Sequence, residues 1–161
     1  DVCSSDLFYL SIILSFLFSI VFTGTLCIFI NLSSNLLWLN SQGFDGLLGI
    51  FPSSLFRGIA NGLLFYQVVG IALTLGFVIA GILRIFIPLR REFSYGLAGL
   101  TAILVMLIGV RIPFYGAALI AGARSSLGFI LFLLSGLLGG YIFGKLVSLA
   151  NDKFRTRGSN V

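Results

Sequence analysis

"SSLGFILFLLSGLLGGYIFG", residues 125–144, is a run of twenty residues without a charge. A helix rises about 1.5 Å per residue, so a run of this length matches the roughly 30 Å hydrocarbon core of a bilayer. The apolar character continues past Lys145 towards Leu149. The stretch therefore predicts a transmembrane helix over residues 125–149.

Three further runs have the same uncharged, apolar character. These uncharged runs cover residues 8–30, 59–83 and 93–110, and they predict spans over residues 8–30, 59–87 and 93–111. Only 9% of the residues in the chain are charged, whereas a soluble domain has about 25%. These features exclude a single soluble core and predict an all-α, polytopic transmembrane helix bundle with four spans, forming one domain over residues 8–150.

Residues 31–58 join the first two predicted spans and mix Asn, Ser and Gly with bulky apolar side chains. Apolar residues recur there at helical spacing, which predicts an amphipathic, interfacial helical segment in the headgroup plane. We expect Pro52 to interrupt this segment and Ser53 or Ser54 to cap the helix that follows. An irregular loop over the bundle is an equally good interpretation. The residues with helical spacing are Phe44, Leu47, Leu48, Phe51 and Leu55.

Residues 112–123, "IPFYGAALIAGA", form a second connection, between the third and fourth predicted spans. Twelve uncharged residues are too few to cross a bilayer as a helix. The segment is predicted to be re-entrant or interfacial. Extension of the third span beyond Pro113 is the alternative.

The two ends of the chain differ from its apolar middle. Residues 1–7, "DVCSSDL", resemble the translation of a sequencing adaptor, and Met106 is the only methionine. We therefore expect a gene fragment whose first seven residues are an artefact, to be set aside in reasoning about the fold. Residues 151–161 form a basic tail.

Basic residues outnumber acidic ones, with ten Lys and Arg against five Asp and Glu. In a membrane protein such residues flank the spans and favour the cytoplasmic side, so the excess predicts orientation and no nucleic-acid partner. One side of the predicted bundle has seven of them and the other has three. We expect a cell-membrane protein, of the bacterial inner membrane, with both ends of the chain cytoplasmic. The seven are Arg84, Arg90, Arg91, Lys145, Lys153, Arg155 and Arg157, and the three are Arg57, Arg111 and Arg124.

Small residues recur at intervals of four in three of the spans. Acyl chains are about as apolar as leucine, so helices associate in lipid through close contact, which small side chains permit. The stripes predict either close packing within the bundle or the binding of a second copy or another membrane protein. Their members are Ala72, Gly76 and Ala80; Ser94, Ala98 and Ala102; and Gly136, Gly140, Gly144 and Ser148.

Residues typical of catalytic and metal sites are scarce. The chain has no histidine, which excludes Ser-His hydrolysis, His-ligated haem and the usual mixed zinc sites in it. Asp45, Glu92 and Asp152 lie outside the predicted spans, so no pair of carboxylates faces across the bilayer as intramembrane aspartyl chemistry requires. We therefore expect no enzyme, no cofactor and no metal.

A few polar residues in or near the spans remain to be explained. Gln67, Thr74 and Thr101 lie deepest and are predicted to make interhelical hydrogen bonds. Arg84 and Lys145 lie near the cytoplasmic ends, where long side chains reach the headgroups. Arg111 and Arg124 bracket residues 112–123 and form a candidate basic collar for an anion or a lipid phosphate. The alternative interpretation is that these two arginines only mark the outer ends of two spans and bind no ligand.

The function expected from these features is that of a non-enzymatic membrane subunit of a transport or envelope assembly, acting through small-residue helix packing. Its partners are the lipid bilayer and either a second copy or another membrane protein. A pore-forming or small transporter protein, holin-like in its basic cytoplasmic tail, is the alternative. A membrane enzyme acting on lipid-linked substrates has the least support.

Overall fold

The structure, a computed structural model, describes residues 2–43, 49–86, 90–112 and 120–158. This part of the chain is helical and contains no strand. Four of its helices are long and apolar enough to cross a membrane, so the all-helical class and the four apolar helices are confirmed. The elements are α1 (Val2–Ser41), α2 (Phe51–Asn61), α3 (Leu63–Phe86), α4 (Arg91–Arg111) and α5 (Ser126–Gly158), with a 3₁₀ turn at Ala121–Ala123.

Helix α1 is longer than the first predicted span, because it continues beyond Ile30 to Ser41. Asn and Ser lower the hydropathy after Ile30 without preventing helix formation, so the apolar run ends before the helix does. The helix stops where Gly43 takes a φ of +87°, a conformation that glycine adopts without strain. The Gly43 N–H donates to the carbonyl oxygen of Asn40 at 3.1 Å. Residues 44–48, which include three of the predicted amphipathic positions, lie outside the described residues.

Helix α2 corrects the prediction for Pro52 and the following serines. Pro52 is the second residue of the helix and lies in its first turn, where a backbone N–H has no partner within the helix and the fixed φ of proline is favourable. Ile50 occupies the N-cap position. The Ser53 hydroxyl donates back to the Ile50 carbonyl oxygen at 2.9 Å, so the prediction of a cap at Ser53 or Ser54 was wrong. Gly62 separates α2 from α3, and the apolar run predicted from residue 59 is thus divided between two helices.

The four long helices form an antiparallel bundle. Each packs mainly against two of the others, in the cyclic order α1, α3, α4, α5. Helices α1 and α4 run in one direction, and α3 and α5 run in the other. The direction follows from pairs of contacts: Gly24 with Tyr66 and Ile20 with Gly70 between α1 and α3, Ser19 with Gly139 and Cys27 with Ser135 between α1 and α5, and Gly99 with Gly136 and Glu92 with Gly144 between α4 and α5. The carboxyl ends of α3 and α5 therefore lie at the same end of the bundle as the amino ends of α1 and α4.

Four aromatic rings, one from each long helix, occupy the centre of the bundle towards that end. Phe77 of α3 stacks on Phe143 of α5, with ring centroids 4.6 Å apart and an interplanar angle of 8°. Tyr95 of α4 meets the edge of Phe143 at 5.0 Å. Phe16 of α1 contacts both Phe77 and Phe143 at 6.0 Å. This aromatic quartet joins all four long helices at one level of the core.

The connection that precedes α5 packs against α1. The backbone N–H of Gly122 donates to Oδ1 of Asn31 at 2.8 Å. The Ser125 hydroxyl then accepts the N–H of Gly128 at 3.0 Å and caps α5. Helix α4 ends at Arg111. Residues 113–119 lie outside the described residues, and the two interpretations of residues 112–123, a re-entrant segment or an extended span, concern this part of the chain. Helix α5 runs to Gly158, well into the segment predicted as a tail.

Candidate functional site: the small-residue helix interfaces

The glycine stripe of α5 faces α4 at backbone-to-backbone distance. A Cβ atom built on Gly136 would lie 2.5 Å from the carbonyl oxygen of Gly99, and one built on Gly144 would lie 2.9 Å from Cα of Glu92. A Cβ atom on Gly140 would collide with the carbonyl group of Tyr95, whose carbon is 2.8 Å away. Backbone atoms cannot turn aside as flexible side chains can, so only glycine fits these three positions with the helices at this separation.

The surface of α4 that receives these glycines was not singled out from the sequence. It is formed by Gly96 and Gly99, and a Cβ atom on Gly99 would meet the backbone of Gly136 and Cα of Gly140, the latter at 3.2 Å. The available signal was the pair of glycines three residues apart, which places them on one side of a helix. The stripe of Ser94, Ala98 and Ala102 was instead predicted as the packing surface of α4.

That alanine stripe on α4 packs instead against α3. A Cβ atom on Gly76 would lie 2.9 Å from both the Cβ of Ala102 and the carbonyl oxygen of Ala98. Ala80 is buried in the same core, and Ala72 packs against it from a half-buried position. Helix α4 therefore presents small residues on two sides, alanines to α3 and glycines to α5.

Ser148, the last predicted member of the α5 stripe, lies beyond the close helix contact. It is half-buried and lines a polar cavity at the end of the bundle between α4 and α5. The other lining residues are Arg90, Arg91, Glu92, Asn151 and Asp152.

A third interface, between α1 and α5, carries a stripe of small polar residues that was not predicted. The Ser19 hydroxyl donates to the carbonyl oxygen of Gly139 at 2.9 Å, and Sγ of Cys27 lies 3.1 Å from Oγ of Ser135. Both are contacts between buried side chains and another helix. Ser19, Thr23 and Cys27 form this polar stripe against α5. The sequence signal is an interval of four between these residues of α1. The interval of four continues along α1 to Ser15 and Ser11 in one direction and to Asn31 in the other.

Among the residues that the structure describes, the Thr23 hydroxyl is the one buried side-chain polar group without a hydrogen-bond partner. The Thr23 side chain is fully buried and lies against the backbone of Gly139, where a Cβ atom would collide with Oγ1 and lie 3.2 Å from the Cβ of Thr23. Gly139 therefore makes room for a branched polar side chain. An unpaired hydroxyl in such a site destabilises the packing.

The polar residues predicted to bond between helices do not all do so. The Thr74 hydroxyl donates to the carbonyl oxygen of Gly70 at 2.7 Å. The Thr101 hydroxyl donates to the carbonyl oxygen of Ala98 at 3.0 Å. Both are bonds within one helix, since a threonine side chain reaches the carbonyls of the preceding turn. The prediction of interhelical bonds was wrong for these two residues. Gln67 is exposed.

The two arginines of the predicted collar lie at the other end of the bundle from the aromatic quartet. Arg111 is the last residue of α4. Arg124 is exposed and immediately precedes the Ser125 cap of α5. A role in binding an anion stays a prediction.

The chemistry available at these interfaces is that of close backbone contact and short hydrogen bonds. Among the described residues no group of three His, Cys, Asp or Glu side chains could hold a metal ion. The Cys27 thiol is buried against Ser135.

No known protein family, curated protein or solved structure matches the chain.

Proposed function

We propose that this chain is a multi-pass protein of the bacterial inner membrane that acts as a non-enzymatic subunit of a transport or envelope assembly. The observation that carries the proposal is the backbone contact between α4 and α5 at Gly99 and Gly136. Close contact of this kind holds helices together in lipid, where little hydrophobic gain is available. The bundle then serves as a rigid body on which partners assemble.

Insertion into a bilayer is supported by the outer surface of the bundle. Large apolar side chains are exposed along all four long helices, including Leu14, Ile71, Val105 and Leu127, each more than half exposed. A soluble protein rarely leaves contiguous apolar patches beyond a few hundred Å² in water. In lipid the same side chains meet acyl chains.

The direction of insertion is supported by the distribution of charge. The antiparallel arrangement brings the ends that bear Arg84, Arg90, Arg91 and Lys145 together, and the basic end of α5 extends from the same side. The opposite end has Arg57, Arg111 and Arg124. By the preference of basic residues for the cytoplasmic side, the first end is cytoplasmic.

Close packing within the chain has more support than a partner seated on the glycine stripe. Gly136, Gly140 and Gly144 are all buried against α4. A second copy that used this face would have to displace α4. Assembly with other proteins would therefore use other surfaces of the bundle.

The alternative of a pore or small transporter has less support. The aromatic quartet fills the space between the four long helices, with Phe77 and Phe143 stacked at 4.6 Å. A conducting path along the bundle centre would require these rings to separate. A pore formed between several copies would not require these rings to separate. Measurements of flux across liposomes therefore distinguish a subunit from a pore.

Reconstitution into liposomes loaded with a small fluorescent anion tests the proposal. We expect no release above that of protein-free liposomes, and a defined partner cross-linked to the chain in native membranes. The release of dye in proportion to protein would overturn the subunit role and favour the pore. Flotation of the same liposomes on a density gradient measures insertion, and labelling of single cysteines introduced at Arg57 and Lys145 measures which end faces the vesicle interior.

A further inference from the structure

The outward side of the α3–α4 interface contains a long cleft that the chain itself leaves unfilled. Its larger part has a volume of about 820 Å³ and continues past Gly76 into a narrower part of about 250 Å³. The two parts share Gly76, Ile79 and Thr101. Small residues form the cleft because they bring the helix axes close and leave a gap between the large side chains on either side, such as Leu75 and Val105.

The cleft is apolar along its length and cationic at one end. The Thr101 hydroxyl bonds within its own helix, so it offers no free donor to an occupant. The narrower part ends at Arg84, with Ser94 beside it. Arg84 is half-buried, and none of the other residues that line the narrower part is acidic. A guanidinium group without a carboxylate attracts an anion from outside the chain.

We propose that this cleft binds an anionic phospholipid of the cytoplasmic leaflet, with the phosphate at Arg84 and one acyl chain lying between α3 and α4. The proposal rests on the membrane insertion proposed above. The polarity of the site matches that of the ligand, since each has one charged end followed by an apolar body. Arginine forms strong charge-assisted hydrogen bonds with phosphate, and basic pockets between helices on the cytoplasmic side suit anionic headgroups.

The part of the cleft between Arg84 and Gly76 matches the depth of a lipid leaflet. Arg84 and Gly76 lie eight residues apart in α3, or about 12 Å along a helix. That is close to half of a hydrocarbon core of roughly 30 Å. An acyl chain that starts at the level of Arg84 therefore passes Gly76 and ends in the wider part of the cleft. The charge of Arg84 favours an anionic lipid over the apolar helix face of a second copy.

Native mass spectrometry of the delipidated protein in detergent tests the proposal. The probes are phosphatidylglycerol and phosphatidylethanolamine with identical acyl chains. Both lipids have a phosphate, but the ammonium group of phosphatidylethanolamine offsets that charge and is repelled by Arg84. We therefore expect one phosphatidylglycerol to bind about tenfold more tightly than phosphatidylethanolamine. Arg84→Gln is expected to remove this preference. Lys145→Gln, which removes an exposed cation at the same end but outside the cleft, is expected to retain it.

A second variant keeps the test independent of Arg84. Thr101→Phe places a ring in the cleft from an exposed position and is expected to cause the loss of bound lipid of either headgroup. Ile108→Phe, on an exposed part of α4 that does not line the cleft, is expected to bind lipid as the unmodified protein does. If Arg84→Gln does not fold, the comparison of Thr101→Phe with Ile108→Phe and the comparison of the two headgroups still test the lipid site.

Equal binding of the two lipids by the unmodified protein would overturn the proposal, and so would unchanged binding in Thr101→Phe or a protein dimer that excludes lipid. Flotation of the same preparation in liposomes separates this failure from that of the proposed function. Protein that floats without a headgroup preference overturns the lipid site alone. Protein that does not float overturns membrane insertion and the lipid site together.

Discussion

The carbonyl oxygen of Gly99 lies 2.5 Å from the position that a Cβ atom would take on Gly136. Helices α4 and α5 therefore touch through their backbones, which places many atom pairs within the range of dispersion forces. Both glycines lie in helix interiors, where glycine costs about 1 kcal/mol relative to alanine. The close contact must offset this cost.

Gly99→Ala is expected to destabilise the bundle even though alanine is the better helix former. The added methyl group meets the backbone of Gly136 and Cα of Gly140, so α5 must move away from α4 along its length. We expect the free energy of unfolding to fall by about 2 kcal/mol, as is typical of overpacking. Unfolding by sodium dodecyl sulfate from a mild detergent, followed by circular dichroism, measures the change.

Gly109→Ala is the matched control in the same helix. A Cβ atom at Gly109 would meet nothing within 4 Å. Only the gain in helix propensity remains, so the free energy of unfolding is expected to rise, by at most about 1 kcal/mol. Changes of the same sign in the two variants would contradict the assignment of Gly99 to a close helix contact.

Thr23→Val and Ser19→Ala are expected to act in opposite directions. Thr23 buries a hydroxyl without a partner among the described residues, so the isosteric valine is expected to raise the free energy of unfolding by about 1 kcal/mol. Ser19 donates to the carbonyl oxygen of Gly139. The loss of this hydrogen bond in Ser19→Ala is expected to lower the free energy of unfolding by about 0.6 kcal/mol, the average for such bonds between membrane helices.

The same detergent unfolding assay, applied to both variants and to the double variant, checks this prediction. Both residues contact Gly139, so their effects are expected to be non-additive. A loss of stability in Thr23→Val would show that the hydroxyl has a partner in the folded protein. The prediction for Thr23 would then be wrong, while that for Ser19 would stand.

The helical class and the four apolar helices could be predicted because they depend on a one-dimensional signal. An uncharged run such as residues 125–144 is recognised by its length alone. The helix ends were harder to place. Polar residues after Ile30 do not stop α1, and Gly43 does, because its left-handed φ ends the helix whatever the hydropathy.

The pairing of helix faces could not be read from the spacing of small residues. Ala98 and Gly99 are neighbours in α4 but face different helices, α3 and α5, since successive residues differ by about 100° around a helix. An interval of four identifies a stripe without identifying its partner. The polar stripe of α1 was overlooked because Ser19 and Cys27 have little effect on hydropathy, although their spacing was visible.

Phe77→Leu is expected to loosen the centre of the bundle. Phe77 contacts Phe16, Tyr95 and Phe143, and leucine loses these ring contacts and leaves part of the space empty. We expect the free energy of unfolding to fall by about 2 kcal/mol. Phe56→Leu, at a residue that is 75% exposed, is the control and is expected to change it by less than about 0.5 kcal/mol. Equal effects would refute a joining role for the aromatic quartet.

Asn31→Ala is expected to release the connection that precedes α5. The Asn31 side chain accepts the N–H of Gly122 at 2.8 Å, and Gly122 fits against Cα of Asn31 because it lacks a Cβ atom. Removal of the acceptor leaves a buried N–H unpaired, which costs about 1 to 3 kcal/mol. Hydrogen exchange measured by mass spectrometry is therefore expected to quicken in the peptide containing residues 120–125. Asn40→Ala, at an exposed position of the same helix, is expected to leave this peptide unchanged, and equal exchange in the two variants would show that Asn31 does not hold the connection.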